Sequence, residues 1–279
     1  MRREWFDANR ALWNDRTPIH ARSDFYGVAK FKEGARVIQD FELEEMGSVA
    51  DKSLVHLQCH FGMDTLDYAR MGANVTGLDL SEASIDAARE LAAEIHVTEA
   101  RFVVANVYDA VEALHETFDV VYTGRGALNW LPDICRWAKV VTSLVAPGGF
   151  FYINEFHPFV DTFADDQLKL QYDYFGRAEG YAFDDGSTYL GTDDQTENTR
   201  SYEWIHPISE VITSLIQAGL RIDYFREHDF TLYERFPFLV KQERGIRRTY
   251  HWPDGYIRLP LMYSIRARKD QAAAGRSNH

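Results

Sequence analysis

The residues Ser53-Leu-Val-His-Leu-Gln-Cys-His-Phe-Gly62 and Ala73-Asn-Val-Thr-Gly-Leu-Asp79 decide how this 279-residue chain is read. Each begins as an apolar run of strand length. Between them, Asp64 to Met71 has helical spacing, with Leu66 and Ala69 on one side. After Asp79 comes a strong helix: Ser81 is a good N-cap, and Ile85, Ala88, Leu91, Ala92 and Ile95 recur at i, i+3, i+4 spacing. Strand, helix, strand, helix is the opening of a parallel sheet covered on both faces.

The alternation continues outward. Residues 101–105 and 118–123 read as a third and a fourth strand, with a short helix at 108–115 between them. A helix over 131–145 stops before Pro147-Gly148-Gly149, and Phe150-Phe-Tyr-Ile-Asn154 is a fifth strand. The pattern breaks at His157 and resumes with a helix at 208–218, ended by Gly219, then strands at 220–225 and 259–267. Before the core, residues 3–14 read as a short helix stopped by Thr17-Pro18, followed by an irregular segment over 19–34. The fold expected is a doubly wound, Rossmann-like α/β sheet of seven strands with an aromatic-rich cap insertion. Within one domain over 1–279, the expected parts are an N-terminal helix and lid (1–52), a cofactor-binding core (53–156), the cap insertion (157–206) and the C-terminal half of the core (207–269), itself interrupted at 230–258.

Composition narrows the function. The chain is 46% hydrophobic and 26% charged, an ordinary globular balance, and its 30 basic against 43 acidic side chains leave −13. Gripping a phosphate backbone needs clustered Lys and Arg, so nucleic acid is disfavoured as a partner. No stretch approaches the length of a membrane span, the start is not a signal core, and Cys59 and Cys135 suit a reducing compartment. A soluble, cytoplasmic protein is expected. The ten histidines form no tight ligand cluster, so no metal is expected.

In an open α/β sheet the ligand lies beyond the carboxyl ends of the strands. Asp79 stands there, 17 residues beyond Gly62, where a carboxylate can accept both hydroxyls of a ribose; the plainer role is a cap for the following helix. Gln58 and His60 occupy positions where a pyrophosphate-binding turn has glycines, so a nicotinamide cofactor fits poorly, whereas a nucleoside without phosphates is allowed.

The stretch from Leu54 to Phe156 resembles the core of the class I S-adenosylmethionine-dependent methyltransferases. Val55-His-Leu-Gln-Cys-His-Phe-Gly62 matches the first-strand motif, with His56 at its acidic position. Asp79 matches the ribose ligand, Leu80 the residue beside the adenine, Asn106-Val107 the pair at the adenine edge, residues 119–123 the fourth strand, and Leu144-Val-Ala-Pro-Gly-Gly149 the turn before the fifth. The resemblance extends to a bacterial small-molecule subgroup through Trp13-Asn-Asp-Arg-Thr-Pro-Ile-His20, Asn129-Trp-Leu-Pro-Asp133 and Glu155-Phe-His-Pro158. It implies S-adenosyl-L-methionine as cofactor and in-line methyl transfer to an oxygen or nitrogen of a small molecule. An Asn-Pro-Pro-Tyr signature is replaced by Thr123-Gly-Arg-Gly126, which argues against methylation of base or glutamine amines.

The expected cofactor residues are Gln58, His60, Gly62, Asp79, Leu80, Asn106, Val107 and Thr123, with Arg16 and His20 folding over from the N-terminal segment; Arg16 suits a carboxylate. Tyr26, Arg125 and Trp130 are expected at the acceptor. For a general base, His157 at the end of strand five is the first choice, with Glu155 and His206 as rivals. For each the plain alternative is a structural hydrogen bond. Two other functions remain open: a non-catalytic binding protein on the same fold and a nicotinamide-dependent oxidoreductase. The insertion 157–206 carries 3 basic and 11 acidic residues with ten aromatics, which fits a cationic acceptor or simply a solvated outer face.

Overall fold

The computed structural model describes residues 2–271 except 165 and 191. Eight helices are found among them: α1 (Arg3–Arg22), α2 (Val28–Lys32), α3 (Asp40–Met46), α4 (Met63–Arg70), α5 (Glu82–Glu94), α6 (Ala110–Leu114), α7 (Ile134–Leu144) and α8 (Ile208–Gln217). The strands are β1 (Ser53–Leu57), β2 (Asn74–Asp79), β3 (Arg101–Val104), β4 (Phe118–Thr123), β5 (Val145–Phe156), β6 (Tyr181–Asp184), β7 (Arg200–Glu203), β8 (Arg221–His228), β9 (Phe230–Thr231), β10 (Val240–Arg244), β11 (Arg247–His251) and β12 (Met262–Arg268).

Seven strands form one sheet in the order β3-β2-β1-β4-β5-β12-β8. β1 to β5 pair in parallel, and β12 runs antiparallel to both β5 and β8. The chain leaves β1 toward β2 and β3 on one side and returns to β4 and β5 on the other, so the strand order switches between β1 and β4. Side chains of β1 alternate between two cores: Val55 and Leu57 pack with Trp137, Val141 and Leu215 on one face, and Leu54 with Met46, Tyr68 and Tyr152 on the other. Helices therefore cover both faces, as the strand-helix alternation predicts.

One glycine shows how tightly the layers fit. Gly77 lies in β2 directly across from Phe102 of β3, and a Cβ on it would stand 2.7 Å from the Phe102 ring and 2.8 Å from Cys59 Sγ. A side chain there collides with buried, close-packed atoms.

The N-terminal segment differs from the expectation of a helix stopped at Thr17-Pro18. α1 continues through Pro18 to Arg22. The backbone hydrogen bond that proline cannot make is offset by contacts along the helix. Asn9 pairs with the backbone of Tyr202 in both directions, at 2.9 and 2.8 Å. Asn14 Oδ1 accepts from Ser81 Oγ and the Ala83 N–H, capping α5, and Thr17 Oγ1 meets Ser84 Oγ at 2.7 Å. The segment over 19–34 is also more regular than expected, since it contains the end of α1 and all of α2.

The two breaks in the alternation carry small sheets of their own, a β6–β7 hairpin and a three-stranded β10-β11-β9 sheet. They share one core, in which Val160 and Phe163 from the first insertion pack with Phe236, Leu239, Tyr250 and Trp252 from the second. Arg235 stitches the two together by donating to the carbonyls of Val160 and Phe163, both at 2.8 Å. No helix among the described residues is long and apolar enough to cross a membrane.

Gly77→Ala should destabilise the protein by about 1–3 kcal/mol through overpacking. Thermal unfolding checks this: the midpoint should fall by several degrees, and an unchanged midpoint would contradict the packing of Phe102 on Gly77.

Candidate functional site

The turn after β1 is built on three left-handed residues, Gln58, His60 and Gly62, with φ of 58°, 51° and 78°. Glycine is required only at the last. Its Cβ would stand 2.8 Å from Phe102 and 2.9 Å from Ala88, so this position combines the turn with close helix–strand packing. The turn brings the His60 N–H against the end of β2, where it donates to Asp79 Oδ2 at 2.8 Å. Ser81 N–H donates to Asp79 Oδ1 at 2.9 Å. Asp79 thus caps the approach to α5 and also presents its carboxylate to the cavity beside the turn. Burial pushes its pKa up to about 6, with the backbone N–H groups opposing the rise.

This cavity, about 810 Å³, opens at the carboxyl ends of β1, β2 and β4, where the strand order switches. Leu80, Asn106 and Val107 line it next to Asp79. Asn106 Oδ1 accepts from Tyr108 N–H at 3.0 Å, so the side chain has a structural task as well. Gln58 donates its amide to Ala127 O at 2.9 Å; that bond fixes the orientation of the amide and leaves Oε1 buried with no hydrogen-bond partner.

α1 and the cap insertion close over this turn. Arg16 lines the cavity with its guanidinium over the rings of Trp13 and Trp130 (5.6 and 6.0 Å), and donates to Ser187 O at 3.0 Å. Burial lowers its pKa, against the pull of Glu203 and Asp185. The hydroxyls of Tyr26 and Tyr189 bond to each other, joining the N-terminal segment to the cap. Arg125 stands after β4 between Glu42 Oε1 (3.4 Å) and Asp64 Oδ2 (3.3 Å). Burial raises the Glu42 pKa to about 7, with Arg125 lowering it and Asp64 adding to the rise.

Several expected residues sit elsewhere or are already occupied. His157 does not line the cavity: its Nδ1 accepts from Phe159 N–H at 3.2 Å and its Nε2 lies 3.1 Å from Glu227 Oε1, so it fixes the turn after β5. Glu155 lines the cavity, but its carboxylate accepts backbone N–H groups of Gly126, Ala127 (2.8 Å), Leu128 (3.0 Å) and Phe156 (2.7 Å). It clamps the loop after β4. His206 is held at both ring nitrogens, by Leu131 O at 2.7 Å and Glu210 at 3.2 Å. Thr123 is fully buried inside the sheet end, and the next residue, Gly124, faces the cavity instead. His20 is fully buried behind the lining residues His60, Tyr26 and Tyr189 and does not itself line the cavity.

Residues not singled out beforehand include Glu42, Asp64 and Tyr189. His56, at the acidic position of the first-strand motif, also lines the cavity, its Nδ1 bonded to Thr65 Oγ1 at 2.8 Å and its pKa lowered by burial to about 4. Glu42 had a local signal, since it is the third residue of a helix and closes a capping box by accepting from Gln39 N–H. Tyr189 had none, because only tertiary folding brings it to Tyr26.

Glu155→Ala removes the acceptor for four backbone donors and should cost on the order of 3 kcal/mol. Denaturant unfolding measures this; a loss below about 1 kcal/mol would show that the loop does not depend on the clamp.

A methyltransferase-domain family model matches residues 55–151. A ubiquinone biosynthesis O-methyltransferase of Serratia proteamaculans (strain 568) is 30% identical over 119 residues, 41% of this chain and 47% of that protein. The protein of the same description from Ralstonia nicotianae is 32% identical over 119 residues, 41% and 48% of the two chains. The chain thus spans about half the length of the curated relatives it matches. Two solved S-adenosylmethionine-dependent methyltransferases share its fold. One, from Mesorhizobium loti, has a TM-score of 0.55 at 20% identity, covering 85% of this chain and 100% of that one. The other, from Clostridium acetobutylicum ATCC 824, has a TM-score of 0.56 at 12% identity, covering 90% and 94%. The chain thus carries a methyltransferase domain over residues 55–151 and, by its strand topology, has the fold of the solved S-adenosylmethionine-dependent methyltransferases.

Proposed function

We propose that the chain transfers a methyl group from S-adenosyl-L-methionine to a small-molecule acceptor held beneath the cap. The observation that carries this reading is the placement of Asp79 beside the 58–62 turn on the wall of the cavity at the sheet's switch point. The residues present fit that cofactor. Asp79 would take the ribose hydroxyls, with Leu80, Asn106 and Val107 around the adenine. The unpartnered Gln58 Oε1 suits the ammonium of the methionine part, and the Arg16 guanidinium its carboxylate. When bound, the cofactor would supply an electrophilic methyl on a sulfonium, open to attack at carbon by an acceptor lone pair in line with the S–CH3 bond, whose electron pair would leave with sulfur.

The chain's own contribution is positional. The aromatic rings of Trp13, Tyr26, Trp130 and Tyr189 exclude water and fix the acceptor's approach. The carboxylate of Glu155 holds the loop carrying Gly124 and Arg125, and so sets the shape of the acceptor side rather than moving a proton. The O-methyltransferase descriptions of the curated relatives favour oxygen as the acceptor atom.

Isothermal titration with S-adenosylhomocysteine tests the reading. Wild-type protein should bind it, and Asp79→Ala should bind at least about ten-fold more weakly through loss of charge-assisted hydrogen bonds. NAD or NADP binding in its place would overturn the proposal. The Asp79 pKa lies near 6, raised from the ordinary carboxylate value, and the hydroxyl-accepting form is the ionised one. Affinity should therefore be full above that pH and decline as the pH falls through about 6; the Asp79→Ala variant should lose this pH dependence.

A further inference from the structure

His20 is fully buried, lies outside the cavity, and has no part in the transfer chemistry described above. Its bonds connect three elements. Thr17 Oγ1 donates to Trp13 O at 2.8 Å, so at its 2.7 Å contact with Ser84 Oγ it accepts, and Ser84 spends its hydroxyl proton there. Ser84 Oγ in turn accepts from His60 Nδ1–H at 3.2 Å. A neutral His60 then offers a lone pair at Nε2, and His20 Nδ1–H donates to it at 3.0 Å. The same Nδ1–H points to Tyr189 Oη at 3.5 Å, the hydroxyl bonded to Tyr26. The His20 ring stacks on Tyr26 at 5.5 Å and meets Tyr189 and Trp13 edge-on at 5.0 and 5.7 Å.

We infer that His20 is a positioning residue that joins the cofactor turn to the cap, so that occupancy of the turn and closure of the cap are coupled. The inference rests on the proposed S-adenosylmethionine site. The His60 backbone N–H holds the Asp79 carboxylate while its ring is held by His20. A ligand that seats on Asp79 and the turn fixes His60, His60 fixes the His20 ring, and His20 with Tyr26 presents a fixed surface to Tyr189. The cap then closes on a loaded turn, and the cofactor precedes the acceptor. The reverse follows by linkage: a closed cap slows release of the ligand from the turn.

The test is limited trypsin digestion of the full chain with and without saturating S-adenosylhomocysteine, following cleavage in the cap after Lys169, Arg177 and Arg200. In wild-type protein the ligand should slow this cleavage at least about five-fold by suppressing local opening. His20→Phe keeps a ring but removes the donor, and should reduce the protection to under about two-fold even when calorimetry shows the site filled. His20→Asn restores an N–H close to the position of Nδ1 and should recover protection. If His20→Phe does not fold, Tyr189→Phe makes the same comparison by deleting the hydroxyl on the cap side. Wild-type protein that binds the ligand without protecting its cap overturns the inference, as does undiminished protection in His20→Phe or failure of His20→Asn to rescue. Failure of wild-type protein to bind S-adenosylhomocysteine sinks the cofactor reading itself, and calorimetry reads that separately.

Discussion

The hydrogen bond from the His60 N–H to Asp79 joins the ends of the first two strands, and the rest of the site is arranged around it. It requires the left-handed 58–62 turn, which in turn requires Gly62 to fit between Phe102 and Ala88. With the bond made, one carboxylate oxygen is held by the turn and the other by the N–H before α5. The carboxylate is thus fixed in direction on the wall of the cavity. On the proposed reading, a carboxylate so fixed meets the ribose hydroxyls without reorganising, which is where preorganised sites draw their affinity.

Asp79 and Glu155 show how hydrogen bonding separates two carboxylates on one cavity wall. Both are buried, and burial raises both pKa values. Glu155 is saturated by four backbone donors from the loop it organises and has little capacity left for a ligand. Asp79 answers to fewer donors. Both are carboxylates near the carboxyl end of a strand, so their roles are distinguished by where the neighbouring N–H groups point.

That distinction marks the limit of what the sequence reveals. The strand-helix alternation and the place of Asp79 at the end of the second strand are legible because they follow from periodicity and chain order, whereas Leu80, Asn106 and Val107 are singled out only by the resemblance to methyltransferases. The N-cap of Ser81 is likewise local. Pro18 misleads because the contacts that carry α1 past it, to Tyr202, Ser81 and Ser84, join residues 67 or more positions apart. His157 misleads for a related reason. It does stand at the end of β5, but its N–H bonds to Leu261 O and the antiparallel β12–β8 pair brings Glu227 to its ring. Which way a side chain turns at a strand end depends on these distant pairings, and no spacing in the sequence encodes them.

The shared core of the two insertions has a consequence for how such a protein can change. Phe163 packs on Phe236, and Arg235 binds carbonyls of the opposite segment, so neither insertion has a complete interior alone. The cap is therefore a joint product of segments separated by α8 and β8. Exchanging one of them for a homologous loop transplants half of an interface, and a new cavity shape reached by recombination must carry both halves together, whereas point substitutions on the cavity-facing rings can alter the chamber and leave its frame intact.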